Sequence, residues 1–203
     1  MKKTLLIGAI ALALALASPF SQAHRVWIKP STTSVSGDSE WITFDVAVAN
    51  GIFHPDHFAY PAERLSVVSP SGEPVDIQNQ QKLRYRSVFD VELTQSGTYK
   101  VFNASQSLVA FWKDEDGERH FWPGRGKTGT VEEFYKAVPQ DANELNVMQT
   151  ANRLETYVTL GAPTAGNNKL NGQGLELKAL THPNDAYTGE PIDFQFFKIL
   201  DLP

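Results

Sequence analysis

From Arg25 onward the chain alternates apolar and polar residues in short runs, each broken by Gly, Pro, Ser or Asp. That period of two predicts half-buried strands joined by turns. Arg25 to Lys29 is a first strand stopped by Pro30. After the turn Ser36-Gly37-Asp38, the stretch Trp41 to Val48 alternates almost without fault. Asn50 to Pro61 breaks the pattern with Gly51, Pro55 and Pro61 and reads as a loop. Strands resume at Arg64 to Val68, Val75 to Ile77 and Leu83 to Leu93. Ser69 to Pro74 is a turn rich in Ser, Gly and Pro.

The second half carries the same punctuation. Thr98 to Phe102 is rich in β-formers, and Leu108 to Lys113 is set to pair with Arg119 to Trp122 across a turn containing Asp116-Gly117. Pro123 to Gly129 is a basic, glycine-rich loop. Thr130-Val131-Glu132-Glu133 has the spacing of a capping box, which predicts a two-turn helix through Ala137, ended by Pro139. Arg153 to Leu160 is a further strand. Beyond it, Leu175 to Leu180, the turn Tyr187 to Pro191 and Ile192 to Phe197 repeat the order of elements at Arg25 to Val46.

Short, evenly spaced strands with one short helix predict an all-β fold, an immunoglobulin-like antiparallel β-sandwich. The domain reading is an export signal at 1–23, a metal-binding sandwich at 24–163, a linker at 164–173 and a partial second immunoglobulin-like module at 174–203. Two strands do not bury a core by themselves, so the second module is expected to be truncated. The competing expectation is that its strands complete the first sheet.

Composition changes the picture at the N-terminus. Lys2 and Lys3 precede an unbroken apolar run from Leu5 to Ala17, and Ser21 and Ala23 are the small residues a signal peptidase requires. The run is too short to span a bilayer, which takes about 20 residues. A periplasmic protein cleaved after Ala23 is therefore expected, with no stable membrane insertion thereafter. Loss of Lys2 and Lys3 takes Lys plus Arg from 18 to 16 against 23 acidic residues, and the net charge from −5 to −7. Such a balance disfavours nucleic acid as a partner. There are no cysteines, so metal ligands must come mainly from nitrogen and oxygen, which leaves nickel, cobalt, copper or zinc.

The candidate chemistry then rests on histidine. Cleavage after Ala23 makes His24 the first residue, whose α-amine and Nδ1 can close a chelate ring on one ion. Both groups give up protons near neutral pH when a metal competes. Phe53-His54-Pro55-Asp56-His57-Phe58 places two imidazoles and a carboxylate within four residues on a proline-stiffened loop. His54, Asp56 and His57 are thus candidate partners of His24. His120, in Glu118 to Trp122, is either a further ligand or a strand residue packed beside Trp112 and Trp122. His182 precedes Pro183 and reads as a turn residue.

Ala23-His24-Arg25-Val26-Trp27-Ile28-Lys29-Pro30-Ser31 resembles the opening of exported bacterial proteins of a domain-of-unknown-function family, described as periplasmic components of nickel or cobalt uptake systems. Arg153 to Gly161 resembles their domain-closing strand, and Gly174 to Phe197 the start of their second module. The resemblance implies that His24 is a metal ligand with His54 and His57 as partners. It also implies that the cargo is nickel or cobalt and that a membrane metal-uptake transporter receives it. The expected function is therefore non-catalytic binding and delivery of a divalent metal. Alternatives are a copper carrier, an oxidative copper enzyme built on a histidine brace, or a metal-free structural sandwich.

Overall fold

The computed structural model describes residues 24–124 and 126–199; the expected export signal at 1–23 lies outside the described residues. In chain order the strands are β1 (Arg25–Pro30), β2 (Ser34–Val35), β3 (Glu40–Ala49), β4 (Phe58–Ala59), β5 (Ser66–Val68), β6 (Pro74–Val75) and β7 (Gln78–Lys82). They continue with β8 (Ser87–Leu93), β9 (Gly97–Lys113), β10 (Arg119–Trp122), β11 (Asn143–Leu160), β12 (Gly174–Ala179) and β13 (Phe194–Ile199). Helix α1 spans Val131–Ala137. Among the described residues no helix is long and apolar enough to cross a membrane.

The fold is an antiparallel β-sandwich, as its alternation predicts. One sheet runs β1-β3-β8-β7, with β4 beside β3; the other runs β2-β11-β9-β5-β6, with β10 beside β9. Among the described residues the single parallel pairing joins β2 to the end of β11. Alternate residues of β3 and β8 point inward, so Ile42, Phe44, Val46, Phe89, Val91 and Leu93 meet Tyr99, Val101, Val158 and Leu160 of the facing sheet. Phe44 and Phe89 are register partners and stack with centroids 5.1 Å apart. The Tyr99 hydroxyl is buried with its ring and accepts from the backbone N–H groups of Thr94 and Gln95 at 3.0 and 2.8 Å. That bonding offsets the cost of placing a phenol in the core.

The capping box forms as the spacing requires. Thr130 Oγ1 accepts from the Glu133 N–H, and Glu133 accepts from the Thr130 N–H. Phe134 and Val138 then cover Ala110 of β9.

Several strands differ from the expected pattern: β2 and the two-residue β4, which lies inside the stretch expected as a loop, are additional to it, and β8 starts at Ser87 rather than Leu83. β9 is one strand of 17 residues rather than two, and β11 extends back to Asn143 rather than starting at Arg153. In both, the added residues are half-exposed or exposed and mostly polar, so the alternation disappears. β7, Gln-Asn-Gln-Gln-Lys, is fully exposed on an edge and carries no apolar signal.

β12 and β13 form a separate two-stranded sheet. β12 approaches β9 and β11 with a buried polar layer between them. Glu176, 1 % exposed, accepts from the backbone N–H groups of Asn171 and Gly172. Buried Lys100 donates to Asn167 O at 3.0 Å, and burial holds its ammonium below the ordinary lysine range while Glu155 opposes that shift. Arg153 and Tyr157 both bond Glu155, at 2.6 and 2.9 Å. Burial pushes the Tyr157 phenol above its usual range, and the Glu155 charge adds to the shift. The connecting stretch is tied down by side-chain amides: Asn167 donates to Ser69 O and Thr98 O, and Asn168 bonds both backbone groups of Ala179.

Candidate functional site

β3 organises the site. At its C-terminal end β1 lies on one side and β4 on the other: Arg25 pairs with Ala49, and Phe58 pairs with Val48. His24 immediately precedes Arg25, and His57 immediately precedes Phe58. Two residues 33 positions apart in the chain are therefore delivered to the same end of one sheet by strand register. Strands flanking a common neighbour are about 10 Å apart, yet the two rings close that gap. The imidazoles of His24 and His57 stack with centroids 3.8 Å apart and planes 12° from parallel. Both residues are exposed.

The loop that carries His57 is built by its own sequence. Gly51 and His54 form an antiparallel bridge, and Phe53 between them adopts φ 59°. A left-handed conformation at a phenylalanine costs energy, and packing offsets it. The Phe53 ring meets Trp27 edge-on at 5.6 Å, and Trp27 covers Ala47 and Ala49 on the outer face of the sheet. Asp56 closes the loop by accepting from the Asn50 N–H at 2.9 Å and from Asn50 Nδ2 at 3.3 Å. The Asn50 N–H bond holds the Asp56 carboxyl below its usual range, and the charge of nearby His54 acts in the same direction. Asn50, which no pattern in the sequence singles out, is thus the residue that positions this loop.

The expected residues take different places. His24 and His57 are together. Their ring nitrogens and those of His54 have no hydrogen-bond partner among the described residues. His54 stands at the Gly51 bridge, and the Asp56 carboxylate is engaged by Asn50. No group of three or more His, Asp or Glu side chains poised for a metal ion occurs among the described residues.

His120 belongs to the β9–β10 hairpin. It bonds Asp114 Oδ2 through Nε2 at 2.8 Å and stacks on Trp112 at 5.2 Å. That bond holds the Asp114 carboxyl below its usual range, aided by the Glu118 and Asp116 N–H groups. His182 sits where the β12–β13 unit meets the sandwich. The Asn184 N–H donates to its Nδ1 at 3.2 Å, which places the proton on Nε2, within reach of Thr164 O and Thr98 Oγ1.

Chemically, an exposed imidazole pair without bonding partners is a nitrogen donor set. Metal–imidazole bonds are about 2.0–2.1 Å long, so both rings would have to leave the stacked arrangement to bind one ion. With no thiolate available, late first-row divalent ions fit such donors best. No curated protein and no solved structure matches the chain. A family model matches residues 21–198, nearly the whole chain, and by that match the protein belongs to the family described as Domain of unknown function (DUF4198).

Proposed function

We propose that this protein binds a divalent transition metal through His24 and His57 and carries it in the periplasm to a membrane uptake system. The reading is supported above all by one observation, the 3.8 Å stack of two exposed imidazoles whose nitrogens have no hydrogen-bond partner among the described residues. Cleavage after Ala23 adds the His24 α-amine as a third nitrogen, in a chelate ring with Nδ1. His54, three residues from His57, is within the same loop and can join by loop adjustment. Asp56 serves the site through the loop, as the acceptor for Asn50.

Nickel and cobalt are the cargo suggested by the resemblance of the chain's opening to uptake components. Copper is the second reading. It rests on the general order of affinities, in which copper(II) binds nitrogen donors such as His24 and His57 more tightly than nickel or cobalt.

The test compares the protein purified from periplasm with a variant carrying one alanine inserted before His24. N-terminal sequencing establishes where the chain starts, and competition titrations with nickel, cobalt and copper give the affinity order. A large loss of affinity on insertion is expected. Unchanged affinity sinks the chelate, and peroxide formation by the copper form under reductant, abolished by His24→Ala, transfers the assignment to an oxidative enzyme.

A further inference from the structure

Away from the histidines, the outer edge of β11 is a long stretch of backbone without a strand partner over most of its length among the described residues. On its inner side β11 pairs with β9 from Asn143↔Lys113 to Leu160↔Gly97. On its outer side, among the described residues, the only strand partner is the two-residue β2, at Thr159 and Leu160. Asn184 reaches Tyr157 O just before that point. From residue 143 to residue 155 no strand is hydrogen-bonded to this outer edge among the described residues, although β1 and β12 approach β11.

Proteins ordinarily block such an edge with proline, lysine, a bulge or a short strand. β11 is 18 residues long with no proline or lysine, and its register irregularity is confined to Asn143/Asn146. Leu145 to Asn152 is an eight-residue run without a charge. Val147 and Met148, on opposite faces of the strand, are 41 % and 45 % exposed. Gln149 adds a buried side-chain oxygen with no hydrogen-bond partner.

We propose that a second copy of this chain pairs with this edge, β11 against β11, antiparallel about a two-fold axis, so that two six-stranded sheets become one. Charge argues for a second copy. The protein is acidic overall, and two copies repel least where each presents a neutral edge. A two-fold axis through Met148 sets Val147 opposite Gln149, Asn146 opposite Thr150, Leu145 opposite Ala151 and Glu144 opposite Asn152. No like charges meet, and each pair shares a face, as antiparallel pairing requires. Glu144 is already neutralised by Lys113 at 2.6 Å.

Sedimentation velocity of the purified protein over a wide concentration range tests this, with V147K/M148K as the blocking variant and Phe196→Ser as control. Phe196 is a second exposed apolar side chain, on β13. The expected result is a dimer that the double lysine variant loses and the control keeps. Hydrogen exchange on the unsubstituted protein gives a second readout that does not depend on the variant folding. Amides of residues 145–152 should slow as concentration rises. A monomer at every concentration, a dimer that survives V147K/M148K, a dimer lost only in the control, or exchange at 145–152 independent of concentration each overturns the proposal.

Discussion

Histidine occurs in two kinds of surroundings here, and the contrast is in what the ring nitrogens already do. Where β1 begins, His24 and His57 lie ring on ring at 3.8 Å, and neither ring bonds any described residue. At the β9–β10 hairpin and at the junction with β12, the nitrogens are in use. His120 bonds Asp114, and His182 joins Asn184 to Thr98 and Thr164. His182 is a structural part, because its Nδ1 lone pair already accepts the Asn184 N–H, and displacing that bond for a metal costs what the bond contributed. A metal ligand needs its partner outside the chain. His120 is also exposed and only donates, through Nε2 to Asp114; what sets it apart is its place on the β9–β10 hairpin, away from the His24–His57 pair.

The comparison is broken most directly at His57. His57→Ala should lower metal affinity by more than the roughly 10–100-fold that loss of an outer-shell partner causes, with little change in melting temperature, because the side chain is exposed. A competition titration alongside thermal unfolding checks both halves. His182→Ala should behave in the opposite way. It leaves metal affinity unchanged and, by removing the acceptor of the part-buried Asn184 N–H, costs about 0.5–1.5 kcal/mol of stability in urea unfolding.

The loop offers a finer test through pH. Asp56 has its folded pKa depressed below 3.8, mainly by the Asn50 N–H. Its contribution is therefore complete above the ordinary carboxylate value and is lost as pH falls through the lower folded value. The Asn50 amide resonance should titrate with a midpoint below 3.8, and Asp56→Ala should abolish that transition. A midpoint at or above 3.8 places Asp56 free of Asn50 in solution. The smallest effect is expected at His120, whose pair with Asp114 is about 40 % exposed on both sides. His120→Phe keeps the stack on Trp112 and should cost no more than about 1 kcal/mol, with no effect on metal affinity.

What the sequence discloses follows the same physics. Strands with one face in the core, such as Trp41 to Val48, declare themselves by alternation. The added stretches, residues 103–107 of β9 and 143–152 of β11, do not, because their residues are half-exposed or exposed on both faces. The polar layer under β12 is equally hidden: Lys100, Arg153, Glu155 and Glu176 read as surface charges until their burial is seen. The histidine pair is half legible. His24 stands out beside a cleavage signal and His57 in a dense polar loop, but their meeting depends on β1 and β4 flanking the same end of β3. Periodicity carries no information about that register. The holder of the loop, Asn50, has no motif of its own.

The central claim is that His24 and His57 share one metal ion while the bonded histidines do not. Imidazole nitrogen spectra of ¹⁵N-histidine-labelled protein, cleaved after Ala23 and titrated with substoichiometric paramagnetic nickel or copper, address it directly. Joint loss of the His24 and His57 signals, with those of His120 and His182 retained, is the predicted result. Broadening of His120 or His182 to the same extent, or persistence of His57 while His24 disappears, would contradict it.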